Sequence, residues 1–323
     1  MSTFIFSAII SAFLMGIFYL FDAYFSRKRV YRRPSQAMII SSFVPLILTP
    51  ITMLLPWWKN PSLLVWVVGI SAGAILIWAN WFYFLVMFPK KKSDIDSLKG
   101  STELSLYESA TPVIALLIAF IAGHFFTYVS DISYLQSFFV VMTVVGMMLF
   151  ALVDGTVVLK NWNYRLKLIS FALLAATSQT IQDIALDQLQ LRSGMNVIEA
   201  SFSLAPALWL GMSTGLLILF FRKERQSFKV QWTVIKQYFF LICLAEIIAL
   251  LSYAALIYAY AGEHVATAQA IGSSFPIVVF VGGLLLQKYD YKDGEHIASK
   301  KNIVSKLLLI ILILLSVTGV ILF

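Results

Sequence analysis

Polar and acidic residues that could do chemistry occur inside long apolar runs of this chain. The run 102–124 holds three polar side chains and a proline in close order: Glu108, Ser109, Thr111 and Pro112. A proline within a helix leaves the carbonyl four residues earlier without its backbone donor, so the carbonyl of residue 108 joins a carboxylate and two hydroxyls. Ionisable groups inside membrane helices face the protein interior and are commonly functional. We therefore predict that this cluster contacts a substrate and that Glu108 is a candidate for proton coupling.

A second polar cluster precedes another proline later in the chain. Ser273 and Ser274 lie just before Pro276, and their hydroxyls offer hydrogen bonds without charge. We predict that they form a neutral polar wall of the same substrate site. Pro112 and Pro276 would then be a pair of helix breaks, one in each half of the chain.

Amide and acidic side chains share one face of the run 166–190. Gln179, Asp183 and Asp187 are four residues apart, a spacing that places them on one helical face. That face is predicted to point into the protein, with Gln179 in contact with substrate. Two interpretations remain open for Asp183. It either contacts substrate or handles protons, or it belongs to a structural hydrogen-bond network between helices.

Glu246 stands alone in the apolar sequence LICLAEIIALLSY, with Tyr253 at its end. We predict that both contact substrate and that Glu246 is a further candidate for proton coupling. Trp78 and Trp81 share one face of the run 62–88 and either flank a cavity or pack against lipid. An acidic cavity with aromatic walls would suit an organic cation, through charge pairing and cation–π contact.

Several kinds of chemistry are not indicated by the sequence. The three histidines are far apart and show no metal-ligand spacing such as HExxH. The single cysteine, Cys243, lies in an apolar run, so no disulfide framework is expected. No GxxxxGK[ST] nucleotide-binding loop is present in the sequence. We predict no metal, no cofactor and no enzymatic activity.

Membrane helices must position these residues. The chain is 60% hydrophobic and 12% charged, about half the charge of an average soluble domain. Runs of about 18 or more apolar residues predict an all-α polytopic membrane protein. The ten predicted spans, numbered in chain order, are 3–25, 35–57, 62–88, 101–124, 132–154, 166–190, 195–221, 238–260, 264–287 and 303–323. The connections between them are expected to be short.

The basic residues predict the orientation of these spans. Of the 24 lysines and arginines, all but Lys59 and Arg192 lie in the connections that follow spans 1, 3, 5, 7 and 9 or within the first four residues after them. Positive charge marks the cytoplasmic side, so both termini are predicted outside the cytoplasm. We expect an integral protein of the bacterial inner membrane. The net charge of +8 then reflects topology and lipid headgroups, and no nucleic-acid partner is expected.

The two halves of the sequence, 1–155 and 156–323, form a weak repeat. A shift of 161 residues superimposes three pairs of identical residue types: Asp22 on Asp183, Ser42 on Ser203, and Pro45 on Pro206. Each half has five predicted spans, an odd number, so the second half must be inserted upside down. Inverted repeats with proline-broken polar helices near the midplane are typical of secondary transporters.

The chain resembles the ten-helix EamA-like branch of the drug/metabolite transporter superfamily. The resemblance rests on the five-plus-five plan and on two stretches that recur in each half. ESATPVIALLIAFIAGH at 108–124 is echoed by AQAIGSSFPIVVFVGGLLLQ at 268–287, and VVGMMLF at 144–150 by VTGVILF at 317–323. The resemblance implies a central cavity lined by spans 1, 3, 4, 6, 8 and 9, and alternating access by rocking of the halves. The chain departs from the family in ending its fourth span with Gly123-His124, where Gly-Glu is common, and in its predicted outside termini.

These patterns together predict a secondary active transporter of a small polar or amphiphilic organic metabolite, such as an amino acid, an amine or a nucleoside-like compound. The acidic cavity would suit a cationic group, and transport would be proton-coupled or by exchange. The alternative is a membrane-embedded lipid-handling or structural subunit without transport activity. Glycines in spans 5 and 10, Gly146 and Gly319, could pack these spans together or against a second copy. The sequence does not choose between a monomer and a homodimer.

Overall fold

A computed structural model describes residues 3–88, 111–115, 117–118, 133–153, 162–262, 265–290 and 300–322. Within these ranges the chain forms helices joined by short connections, and it contains no strand. The helices, numbered here in chain order, are α1 Thr3–Arg27, α2 Pro34–Met53, α3 Leu63–Met87, α4 Tyr134–Leu152, α5 Trp162–Ser193, α6 Val197–Met212, α7 Arg222–Gln237, α8 Phe239–Tyr260, α9 Val265–Gly272, α10 Phe275–Asp290 and α11 Lys300–Leu322. A 3-10 segment, Ser213–Phe220, continues α6.

The predicted all-α membrane class is confirmed. Within the described ranges, seven segments are long and apolar enough to cross a bilayer. They are Thr3–Ser26, Pro34–Met53, Leu63–Met87, Val197–Phe220, Phe239–Tyr260, Val265–Gly282 and Val304–Leu322. Predicted span 4 falls mostly outside the described residues, although 111–115 and 117–118 are helical. The count of ten spans and the inverted relation of the halves remain predictions.

One connection that we predicted to be short is a helix. Residues 222–237, between spans 7 and 8, form α7, which has the sequence RKERQSFKVQWTVIKQ. A search for apolar runs passes over this segment because its charged and apolar residues alternate with helical periodicity. Its mean composition is polar, although one of its faces packs against the protein.

Predicted span 9 is two helices rather than one. α9 ends at Gly272 and α10 begins at Phe275, with Ser273 and Ser274 forming a turn between them. The physical reason is Pro276, which has no N–H to donate to the carbonyl of Gly272. The helix therefore stops where the sequence predicted a break.

Glycines allow the closest helix contacts. A Cβ added at Gly73 would overlap the carbonyl oxygen of Leu208, and one added at Gly211 would overlap that of Ile70. The backbones of α3 and α6 therefore touch directly, a packing that small residues permit in membranes.

The glycines of α4 and α11 pack these two helices on each other. Gly146 lies against Ile313, and Gly319 lies against Phe139. Of the two arrangements that the sequence left open, packing within one chain is therefore the one observed. These contacts leave the number of chains in the assembly undecided.

Candidate substrate cavity

A cavity of about 70 Å³ lies among the middle portions of the helices. α1, α3, α5 and α8 supply most of its wall, and Thr111 and the α9–α10 break complete it. α2 and α6 add Ser41 and Met212. In the described part of the chain, its polar lining residues are Ser11, Tyr19, Ser41, Asn80, Tyr83, Thr111, Gln179, Glu246, Tyr253, Gln269 and Ser273. Polar groups from both halves of the chain therefore converge on one space.

Glu246 is the acidic group of this cavity in the described part of the chain. It lies on α8, its side chain is 8% exposed, and Ser41 Oγ of α2 donates a hydrogen bond of 2.6 Å to its Oε1. One carboxylate oxygen is thus fixed by a hydroxyl from the other half of the chain. A carboxylate has further lone pairs to offer, so this contact does not exhaust its capacity to accept hydrogen bonds from a ligand.

A second buried acid lies close by, outside the cavity lining. Asp22 is 4% exposed and accepts a hydrogen bond from the hydroxyl of Tyr83, a lining residue. Burial raises the pKa of Tyr31, in the connection between α1 and α2, well above 10.0, and the charges of Glu246 and Asp22 raise it further. Tyr31 is therefore within electrostatic reach of both acids.

Three lining residues have buried polar atoms without a hydrogen-bond partner. They are Thr111 Oγ1, Gln179 Oε1 and Gln269 Oε1. The other amide atom of Gln269 is engaged, since Nε2 donates to the hydroxyl of Tyr260 at 3.1 Å. Buried polar groups in native proteins normally have a partner, and an unpaired one is destabilising. Two amide oxygens and one hydroxyl are therefore available to a ligand that donates hydrogen bonds.

The break between α9 and α10 opens directly onto the cavity. Gly272, Ser273 and Phe275 line it, and Pro276 leaves the Gly272 carbonyl without its helical donor. The last carbonyls of a helix carry partial negative charge. The end of α9 therefore adds an acceptor, the Gly272 carbonyl, and negative potential near the unpaired amide oxygen of Gln269.

The aromatic wall differs from the one that we predicted. The rings of Tyr19 and Phe275 are stacked with centroids 4.6 Å apart, and Tyr83 meets Tyr19 edge-on at 5.5 Å. All three residues line the cavity. Trp78 and Trp81 do not line it; Trp78 is 37% exposed, and Trp81 packs against the hydrophobic core. Trp78 is therefore on the outer side of α3 and Trp81 packs against neighbouring apolar side chains, while Asn80 and Tyr83 of the same helix face the cavity.

The structure brings together five of the side chains that the sequence predicted as substrate contacts: Thr111, Gln179, Glu246, Tyr253 and Ser273. Asp183 is 3% exposed and lies one turn beyond Gln179, outside the lining. Ser274 and the prolines Pro112 and Pro276 are also outside it. Glu108 and Ser109 lie outside the described residues.

Other lining residues were absent from the predicted site. Ser11 and Ser41 lie in apolar helices, and their partners are far along the chain: Ser252 for Ser11 and Glu246 for Ser41. Such pairs leave no local pattern in the sequence. Gln269 is different, because it lies in the same uncharged polar stretch before Pro276 as Ser273 and Ser274, and that stretch is the signal that marks it in the sequence.

Comparison with known proteins supports the fold and gives no information on substrate or activity. No family model and no curated protein matches the chain. Seventeen solved chains match it in structure. One of them, a crystal structure described only as that of a protein, has a TM-score of 0.60 and 12% sequence identity, and the match covers 98% of this chain and 95% of that chain. The two chains therefore share an overall fold along nearly their whole length.

Proposed function

We propose that the chain is a secondary active transporter of a small organic metabolite, with a cationic nitrogen group bound in the central cavity. The observation that carries this proposal is the convergence of Glu246 with three unpartnered polar atoms, on Thr111, Gln179 and Gln269, inside a membrane-embedded bundle. Unpaired buried acceptors lower the stability of the fold, so a purely structural role does not explain them. A ligand that supplies N–H donors satisfies them.

The chemistry of the lining favours particular substrates. Two amide oxygens, a carboxylate and the carbonyl end of α9 are all acceptors, so a primary ammonium or an amidine-like group matches them best. The stacked rings of Tyr19 and Phe275 offer an aromatic surface for the same cation. Among the metabolites considered from the sequence, amines and amino acids fit this lining better than neutral nucleosides.

The pairing of helices supports alternating access by two inverted halves. α1 packs along α8 and α3 packs along α5, while α2 packs on α6 and α4 on α11. In the two halves, α1 corresponds to α5, α2 to α6, α3 to α8 and α4 to α11. If each helix is replaced by its counterpart, the α1–α8 pair becomes the α5–α3 pair. The α2–α6 and α4–α11 pairs each consist of two counterparts, so they stay the same.

Any two-fold relation of the halves produces these pairings, and the odd number of predicted spans in each half is what favours an axis in the membrane plane. The close contact between α3 and α6 departs from the symmetry, since α8 and α2 contact each other much less. The pairing as a whole accords with the EamA-like plan of the drug/metabolite transporter superfamily.

The size of the cavity limits what it can hold as it stands. Its volume of about 70 Å³ suits a small cationic group. A substrate larger than a few non-hydrogen atoms could enter only if the halves moved apart. The charge asymmetry of the connections favours an inner-membrane location with both termini outside the cytoplasm.

Uptake by reconstituted protein tests the proposal. Proteoliposomes would be incubated with a mixture of amines, amino acids, nucleosides and carboxylates, and the trapped compounds identified by mass spectrometry. We expect time-dependent accumulation of cationic nitrogen compounds with the wild type and much less with Glu246→Gln at the same low concentration. No accumulation of any compound, in either direction across the membrane, would favour the alternative of a lipid-handling or structural subunit.

A further inference from the structure

The placement of helix α7 relative to the membrane follows from the two segments that it joins. It connects two membrane-spanning segments, Val197–Phe220 and Phe239–Tyr260, with only Phe221 and Tyr238 as joints. Consecutive spans joined at one membrane face are antiparallel, so both ends of α7 are at the same face. Its 16 residues extend about 24 Å. A helix of that length with both ends at one face must run parallel to the bilayer plane.

One face of α7 is fixed to the rest of the protein. Gln231 Nε2 donates to the carbonyl oxygens of Arg29 and Val30 at 3.1 and 3.0 Å. Two turns earlier in α7, Glu224 accepts a hydrogen bond from the hydroxyl of Ser35. These contacts tie α7 to the connection between α1 and α2 and to the start of α2, so the helix has a defined orientation.

The opposite face of α7 is a cationic stripe. Arg222, Arg225, Lys229 and Lys236 are exposed, and their spacings of three, four and seven residues place them on one side of the helix, away from Gln231. Four positive charges along about four turns make this face unsuited to the hydrocarbon interior and well suited to anions.

Aromatic side chains border this stripe at the level of the membrane interface. Trp232 is 41% exposed, and its ring packs against Phe228 with centroids 5.7 Å apart. At the two ends of the helix, Phe220 is 82% exposed and Phe240 is 79% exposed. Aromatic residues concentrate where the headgroups meet the acyl chains. The stripe and these rings therefore lie at the depth of lipid headgroups.

We propose that the cationic stripe of α7 is a binding surface for anionic lipid headgroups, such as those of phosphatidylglycerol, in the adjacent leaflet. The stripe supplies the positive charge that such headgroups attract. Trp232 and the terminal phenylalanines anchor the helix at the correct depth. The docked face keeps the stripe turned outward, so the surface is preformed rather than created by the lipid.

Lipid-specific quenching of Trp232 tests this proposal. The full chain would be reconstituted in vesicles of equal parts phosphatidylcholine and phosphatidylglycerol, with bromine on the acyl chains of one lipid or the other. Both samples then have the same lipid composition and differ only in which lipid carries the bromine. The contribution of Trp232 is the difference between the wild type and Trp232→Phe. We expect labelled phosphatidylglycerol to quench it at least about twofold more than labelled phosphatidylcholine, because each cation near the surface attracts anionic lipid.

Variants of the stripe and a matched control distinguish lipid binding by the stripe from a general enrichment of anionic lipid around the protein. Removing the stripe with Arg222→Gln, Arg225→Gln, Lys229→Gln and Lys236→Gln should bring the Trp232 quenching ratio to one, whereas the control Lys28→Gln with Arg32→Gln, on the same membrane side, should leave it raised. If the fourfold variant does not fold, Lys229→Gln with Lys236→Gln should lower the ratio part of the way. An equal ratio in the wild type, or a raised ratio that survives removal of the stripe, would overturn the proposal.

Discussion

Ser41 and Glu246 join the two halves of the chain through a buried hydrogen bond of 2.6 Å, although 205 residues separate them in sequence. Ser41 belongs to α2 and Glu246 to α8, and both line the central cavity. The bond places the acid at the boundary across which the halves would have to move. It leaves Glu246 with accepting capacity that a cationic ligand can use.

Removing the charge of Glu246 should weaken binding more than folding. In Glu246→Gln the amide retains an acceptor for Ser41, so the fold should persist. The lost charge-assisted hydrogen bond is worth about 1.5–3 kcal/mol, so we expect cation binding to weaken by roughly 10- to 100-fold, measured by titration calorimetry. Glu199→Gln is the matched control, because Glu199 pairs with Lys59 at 2.6 Å outside the cavity lining. Equal losses in both variants would contradict a specific role for Glu246.

Two glutamines on one helix should respond in opposite ways to replacement by methionine. Gln179 has a buried oxygen without a partner, so removing the amide should change the stability by less than about 0.5 kcal/mol while weakening ligand binding. Gln182 donates to Ser178 at 3.0 Å, so Gln182→Met should reduce the stability by about 1 kcal/mol and leave binding intact. Thermal unfolding and ligand titration of both variants check this. A large loss of stability in Gln179→Met would assign that amide a structural role.

Restoring a backbone donor at the helix break should impair transport without unfolding the protein. Pro276→Ala gives residue 276 an N–H that can bond the carbonyl of Gly272, so α9 and α10 can join into one helix. We expect unchanged or higher thermal stability together with loss of uptake in proteoliposomes. Pro206→Ala is the control, since Pro206 is inside α6 and outside the cavity lining. Full uptake by Pro276→Ala would show that the break is dispensable.

The contact between α3 and α6 should tolerate no side chain at its glycines. Gly73→Ala and Gly211→Ala each force a methyl group into the backbone of the neighbouring helix, and overpacking of this kind costs about 1–3 kcal/mol or more. At Gly194, where φ is +60° and a Cβ would meet nothing within 4 Å, only the backbone conformation opposes alanine, at about 1–2 kcal/mol. Thermal midpoints in one detergent would rank the three variants, and a milder effect at Gly73 than at Gly194 would contradict this packing.

Features that depend on local composition could be predicted from the sequence. The apolar runs predicted the membrane class, and Pro276 predicted the helix break between α9 and α10. Helix α7 was missed because its amphipathic character is a periodic property of a polar segment, which a search for apolar runs does not detect.

The cavity was predicted only in part, since its walls depend on distant pairs. Ser11 meets Ser252 across 241 residues, and no local pattern marks either serine. The stacked pair of Tyr19 and Phe275 could not be predicted for the same reason. Each is one of many aromatic residues in the sequence, and they come into contact only in the folded chain. Glu246 could be found because an acid costs free energy inside an apolar membrane helix and is commonly kept there for function.

The most direct test of the central claim is a thermal-shift measurement with matched ligands. Each set would present one carbon frame as a primary amine, its N-trimethyl analogue, a neutral alcohol and a carboxylate, tested on the wild type and on Glu246→Gln. Binding raises stability according to ligand concentration over Kd. We predict the largest shift with a primary amine, a smaller shift with the trimethyl analogue, which lacks N–H donors, and loss of both shifts in the variant. Shifts confined to alcohols or carboxylates, or amine shifts that persist in Glu246→Gln, would contradict a cation site at Glu246.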